Sequence, residues 1–128
     1  MTNGYTTLTI GDKSIGIKFA YLCIKLFVEA SEKKLDIYFS GKSMTVFGIA
    51  KLIQCAYINN CEIKETVPEL VFENFHDCVE QANETTEGQQ ELARILKIYT
   101  DSSYNKKIQE AVNKVSEETD EKKSLTTT

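Results

Sequence analysis

Tryptophan is absent from this chain of 128 residues, and proline and histidine occur once each, as Pro68 and His76. The scarcity of histidine bears directly on chemistry. Cys78 stands two positions from His76, and residues two apart on a helix do not face each other, so a Cys–His dyad does not form there. Ser14, Ser31, Ser40, Ser43, Ser102 and Ser103 have no base close by in sequence. Calcium-loop spacing is missing. Gly41-Lys42-Ser43 resembles the end of a phosphate-binding loop, but the first glycine of that motif would fall on Asp36. The carboxylates follow exposed helix faces, not a glycine-rich or apolar pocket pattern. The reading is therefore of a chain without catalytic residues, cofactor or metal.

Other absences narrow the setting. The start, MTNGYTTLTI, has neither a basic region nor an apolar core of the secretory kind, so no signal peptide is expected. The longest apolar run, Phe19 to Ala30, is interrupted by Lys25 and Glu29 and is too short to cross a bilayer. A cytoplasmic location, with no membrane association, is the expectation. The four cysteines, Cys23, Cys55, Cys61 and Cys78, form no CxxC pair. Together with His76 they match no common zinc spacing. Reduced thiols are expected, with Cys23, Cys55 and Cys78 in apolar segments where free cysteine behaves as a small hydrophobe.

What is present is an ordinary globular composition, 41% apolar and 27% charged, with a net charge of -4. That charge is unevenly spread. Residues 1–50 hold six lysines against four acids, a surplus of +2, so the remainder carries -6. An acidic second half argues against nucleic-acid binding, which needs a dense basic face.

The patterning predicts a mainly α protein with a small N-terminal β-hairpin, an α+β chain of four to five amphipathic helices. A single domain is expected over 1–116, with the hairpin over 5–19 and helices over 20–116, followed by a disordered tail over 117–128 whose one apolar residue is Leu125. YTTLTI and SIGIKF alternate on either side of Gly11-Asp12-Lys13, a hairpin signal. A helix is predicted over Ala20–Lys33, with Phe19, Leu22, Cys23, Leu26, Phe27 and Ala30 inward. Leu35–Phe39 fits a short strand or the end of a helical excursion, and a loop follows at Ser40–Ser43. Thr45–Ile58 is apolar on nearly every side, as a helix is when it lies centrally or in an oligomer interface. NNCEIKE reads as a polar break.

Thr66 with Glu69 reads as a capping box opening a helix to Ala82, with Pro68 tolerated in its first turn. Thr86 with Gln89 repeats the pattern and opens a helix to about Tyr99, striped by Leu92, Ile95, Leu96 and Tyr99. Tyr104, Ile108, Ala111, Val112 and Val115 mark one more amphipathic helix.

The Thr66–Ala82 segment carries the feature that suggests a function. Val71, Phe75, Cys78, Val79 and Ala82 make one face, while Glu69, Glu73, Asp77, Glu80 and Glu84 make another, and no Lys or Arg lies between Lys64 and Arg94. Like charges at i,i+4 cost a few tenths of a kcal/mol per pair, roughly. Such a strip is either a solvated face or a surface that meets a partner. Leu70 and Phe72 lie off the apolar stripe and fit core packing from a second side or an interface. The candidate protein-binding residues are Glu69, Leu70, Phe72, Glu73, Asp77 and Glu80.

The order of IGIKFAYLCIKLF, GIAKLIQCAYINN, VPELVFENFHDCVEQA and QQELARILKIY resembles that of the tail assembly chaperones of long-tailed bacteriophages and prophages, over residues 5 to 100. The resemblance implies a non-catalytic protein of the bacterial host cytoplasm. Such a protein coats the tape-measure protein before the tail tube polymerises, and self-associates into rings or spirals. It also implies two lengths made by ribosomal frameshifting, the longer recruiting tail-tube protein, and Lys122-Lys123 is compatible with an A-rich slippery site. The alternative is a small regulatory or immunity-type protein-binding module of a mobile element.

Overall fold

Alternation and one glycine build the first element. The computed structural model describes residues 4–41 and 43–102. Strand β1 (Tyr5–Ile10) pairs antiparallel with β2 (Lys13–Lys18), and the register runs from Tyr5 opposite Lys18 to Ile10 opposite Lys13. Two residues, Gly11 and Asp12, close the turn. Gly11 has φ +63°, the left-handed value that the first central position of a type II′ turn requires. Leu8 and Ile17 are buried, and Ile10 and Ile15 pack on the same core. The predicted hairpin is thus present, with β2 beginning and ending one residue earlier than the pattern suggested.

Helix α1 (Tyr21–Glu32) follows, then the short α2 (Leu35–Tyr38), then a two-residue pair of strands, β3 (Phe39–Ser40) and β4 (Ser43–Met44). The ambiguous Leu35–Phe39 stretch is therefore helix and strand in succession. In α1 the buried residues are Cys23, Ile24, Phe27 and Ser31, while Leu22, Leu26 and Ala30 are half-buried. The inward face is rotated from the predicted stripe because the helix is seated on α3 along its Cys23–Phe27 side.

Helix α3 (Val46–Ile63) is the centre of the fold and packs against α1, α2, β2 and helix α4 (Phe72–Asn83). Ala50, Leu52, Ile53, Cys55 and Ala56 are all at most 2% exposed, as an all-round apolar helix requires. Thr45 caps its start: the hydroxyl accepts from Gly48 N–H at 3.1 Å and reaches the carbonyls of Ile37 and Tyr38. Helix α5 (Thr86–Asp101) closes the described chain, lying on α4 and β1 with Leu92 and Ile95 buried. The expected Tyr104–Val115 helix and the 117–128 tail lie outside the described residues.

Two boundaries differ from the sequence reading. The break expected after Ile58 is not there; α3 runs on to Ile63 with Asn59, Asn60 and Cys61 buried. The cause is Asn59, whose Oδ1 accepts the backbone N–H of Cys23 at 2.8 Å. Ala20 caps α1 without a side-chain hydrogen bond. Asn59 therefore satisfies one of that helix's open first-turn donors from 36 residues away.

The helix expected from Thr66 begins instead at Phe72, and residues 66–71 have no regular secondary structure. Thr66 stops α3 rather than starting α4. Its N–H bonds the Cys61 carbonyl at 2.9 Å and the Glu65 N–H bonds the Glu62 carbonyl at 3.2 Å, the hydrogen-bond pair of a Schellman stop. Pro68 explains the rest. The residue before a proline is pushed out of the helical region, and Val67 would have been the first helical residue had Thr66 been the cap. The start of α4 is marked by Asn74, whose Oδ1 accepts the Val71 N–H at 2.9 Å. Similarly Thr85, not Thr86, caps α5, accepting from Gly88 N–H at 2.9 Å.

The Schellman stop places Glu65 at φ +56°, where glycine is the ordinary occupant. The left-handed backbone costs a side-chain-bearing residue about 1 kcal/mol, partly offset by glycine's greater unfolded-state freedom. Glu65→Gly is expected to raise stability by about 0.5 kcal/mol, read as a higher urea midpoint with an unchanged slope.

Candidate protein-binding surface

Helix α4 is fixed by two side chains. Phe75 is fully buried, its ring 5.4 Å from Tyr57, and Val79, one turn on, is 1% exposed. With these inward, positions 73, 77 and 80 fall on the opposite side, within ~60° of one another at roughly 100° per residue. Glu73, Asp77 and Glu80 are accordingly exposed together. The other two acids of the sequence strip are not on this helix. Glu69 belongs to the segment leading into the helix, its N–H bonded to the Tyr57 hydroxyl at 3.0 Å, and Glu84 is the C-cap.

The two apolar candidates are already engaged. Phe72 packs at a tilt with its ring centre 4.8 Å from that of Phe47, and the Lys51 ammonium lies 5.2 Å from the Phe72 ring centre. Leu70 is half-buried against the core. The Phe47–Phe72 contact continues an aromatic series through Tyr38 to Phe27, linking α1, α2, α3 and α4. Both residues therefore anchor the lead of α4, and the candidate surface is chiefly its carboxylates.

His76 is half-buried beside the strip, its ring near Phe47 and Phe72, with Nδ1 3.8 Å from Glu80. One ligand atom each from His76, Asp77 and Glu80 lie within 4.8 Å of one another. They are held by an exposed helix face, and among the described residues no buried polar partner orients them. Their character is that of an acidic surface.

Sequence reasoning missed the neighbour of this strip. A groove of about 490 Å³ runs between the tip of the hairpin, at Thr9, Ile10 and Gly11, and one side of α4, at Asn74, Asp77, Cys78, Gln81 and Ala82. Asp77 belongs to both strip and groove. The two walls are joined at the base by Cys78, whose thiol lies 3.8 Å from the Thr9 carbonyl. The next outward carbonyl of β1, Thr7, accepts from the Arg94 guanidinium of α5 at 2.9 Å, and Arg94 also donates to Thr6 Oγ1 at 2.6 Å. Those contacts lie 69 to 88 residues apart in the chain, so no local pattern announces the groove.

Arg94 is held in turn by Glu91, whose carboxyl it keeps below the ordinary range chiefly by hydrogen bonding. A depressed carboxyl contributes stability above its unfolded value and loses it as pH falls through the folded one. Acid therefore loosens this tie between α5 and β1.

The thiols differ sharply in access. Cys23, Cys55 and Cys61 are buried and Cys78 is half-exposed. Burial pushes the Cys55 thiol up to about 11 and Cys23 well above its ordinary 9.0. Burial likewise lifts the Tyr99 hydroxyl from 10.0 to about 12. With folded values raised, these groups contribute fully below their unfolded values, and the contribution is lost as pH rises. The window is from 9.0 to about 11 for Cys55 and from 10.0 to about 12 for Tyr99. A thiol reagent at pH 8 is expected to modify Cys78 ahead of the other three in the folded protein and all four in urea, with mass spectrometry counting the adducts. Rapid labelling of Cys55 without urea would contradict the packing.

No helix among the described residues is long and apolar enough to cross a membrane. Comparison of the chain with protein-family models, with curated proteins and with solved structures gives no match.

Proposed function

We propose that this protein is a non-catalytic assembly chaperone of the phage tail type, which uses the acidic face of α4 and the groove beside it to hold helical segments of a tape-measure protein. The observation that carries the reading is Asp77. It belongs both to the exposed carboxylates of α4, with Glu73 and Glu80, and to the lining of a groove with Ile10 and Ala82 in its walls. A groove of that make-up suits an amphipathic helix whose apolar stripe enters while its basic flank meets the carboxylates. Like charges at i,i+3 and i,i+4 oppose the helix they stand on, so their grouping on one face fits a surface used for binding. A long partner held by many such weak contacts favours several copies acting together, through avidity. A homo-oligomer on the partner, and a later contact with tail-tube protein, belong to the same proposal.

The reading is tested by reversing the charge at Glu73 and Glu80. Both side chains are exposed, so the double lysine variant should keep its stability within about 0.5 kcal/mol. Partner binding should weaken by about tenfold or more and lose most of its salt dependence. Unchanged capture of the partner by a folded variant would refute the acidic face as the binding surface. A tight one-to-one complex with a small protein would favour a regulatory or immunity-type module instead.

A further inference from the structure

The apolar helix α3 carries two polar side chains that its central position does not explain. Between Val46 and Ile58 the only charged or amide residues are Lys51 and Gln54. Both line a cleft of about 360 Å³ between α1 and α3. That size is at the lower end of small-molecule sites, which run from roughly 300 to 1,000 Å³. Leu26, Glu29 and Ala30 form the α1 wall, at i, i+3 and i+4, and Lys51, Gln54 and Ile58 lie on the α3 wall, at i, i+3 and i+7. Each helix thus turns one continuous face to the cleft.

The polar groups of the cleft lack partners. Gln54 Oε1 is buried and accepts no hydrogen bond among the described residues. A buried acceptor in that state opposes folding, and a donor supplied from outside removes the penalty. Glu29 is exposed and Lys51 half-buried, and neither stands in an ion pair among the described residues. Lys51 rests instead over the Phe72 ring, 5.2 Å from its centre. A carboxylate and an ammonium therefore line one small cleft without pairing with each other. Leu26, Ala30 and Ile58, all half-buried, give it apolar walls. These groups together call for an N–H donor, charges of both signs and an aliphatic body in one ligand.

We propose that the α1–α3 cleft binds a small zwitterion with an aliphatic body, of the class of a free branched-chain α-amino acid. Its ammonium meets Gln54 Oε1 and Glu29, its carboxylate meets Lys51, and its side chain lies on Leu26, Ala30 and Ile58. This site does not depend on the acidic face of α4.

Calorimetric titration of the full-length protein with L-leucine tests it. The expected result is saturable one-to-one binding with a Kd of roughly 1 mM or below. 4-Methylpentanoate, which lacks the ammonium, and isoamylamine, which lacks the carboxylate, should each bind at least ~10-fold more weakly, since each loses a charge-assisted contact. Gln54→Leu removes the unpaired acceptor, so it should fold as well as the native chain and bind leucine at least ~10-fold more weakly. Glu29→Gln, at an exposed position, should give the same weakening without touching the core. Absence of saturable leucine binding to the native protein would overturn the proposal. So would equal affinity for 4-methylpentanoate, or unchanged leucine affinity in the folded Glu29→Gln variant.

Discussion

Phe75→Ala is expected to destabilise the protein by about 3–5 kcal/mol, enough to unfold a large share of the molecules in mild denaturant. The side chain is fully buried, and its ring lies 5.4 Å from Tyr57. The Tyr57 hydroxyl accepts the Glu69 N–H. Removing the ring empties the seat of α4 on α3 and frees the lead of α4 at the same time. Phe75→Leu, which keeps most of the volume, should cost about 1–2 kcal/mol. Urea unfolding of both variants checks the ordering. Equal, small losses would mean that α4 is not held through this contact, and that the acidic face is not fixed in the way described.

The second large effect falls on a polar residue. Asn59→Ala should cost about 2–3 kcal/mol, because the Cys23 N–H at the start of α1 is left buried without a partner. Asn59→Asp keeps an acceptor at that place and should retain part of the stability near neutral pH, with the carboxylate facing the positive end of the helix. Amide hydrogen exchange in the first turn of α1 separates this from a loss confined to α3. Protection of residues 22–24 should fall further in the alanine variant than protection of the Val46–Leu52 turns. Uniform loss across both helices would contradict the capping role.

These two residues also mark what could be read in the sequence. Phe75 and Val79 were legible as the inward face of α4 because their partner positions lie one turn apart on the same element. The hairpin was legible for the same reason: strand alternation and the Gly11-Asp12 turn are local patterns. Asn59 was not. Polar residues in a row look like a break, and what keeps them helical is a donor on α1, 36 residues earlier. Thr66 and Glu69 have the composition of a capping box, yet Pro68 takes Val67 out of the helical region and the Thr66 N–H is used to stop α3. The acidic strip was half legible. Its helical part, Glu73, Asp77 and Glu80, is on one face, while Glu69 precedes α4 and Glu84 is its C-cap. The groove beside it depends on where the hairpin tip lands, and contacts from Cys78 and Arg94 to β1 decide that.

The proposed chaperone role requires the acidic face of α4 to meet a partner. The most direct measurement is the mass of the complex recovered when the tagged protein is expressed with its neighbouring genes, compared with the Glu73→Lys, Glu80→Lys variant. The account predicts several copies on one long, helix-rich protein for the native sequence, and free, folded protein for the variant. Recovery of the same multi-copy complex with the variant, or of a lone monomer with the native sequence, would contradict it.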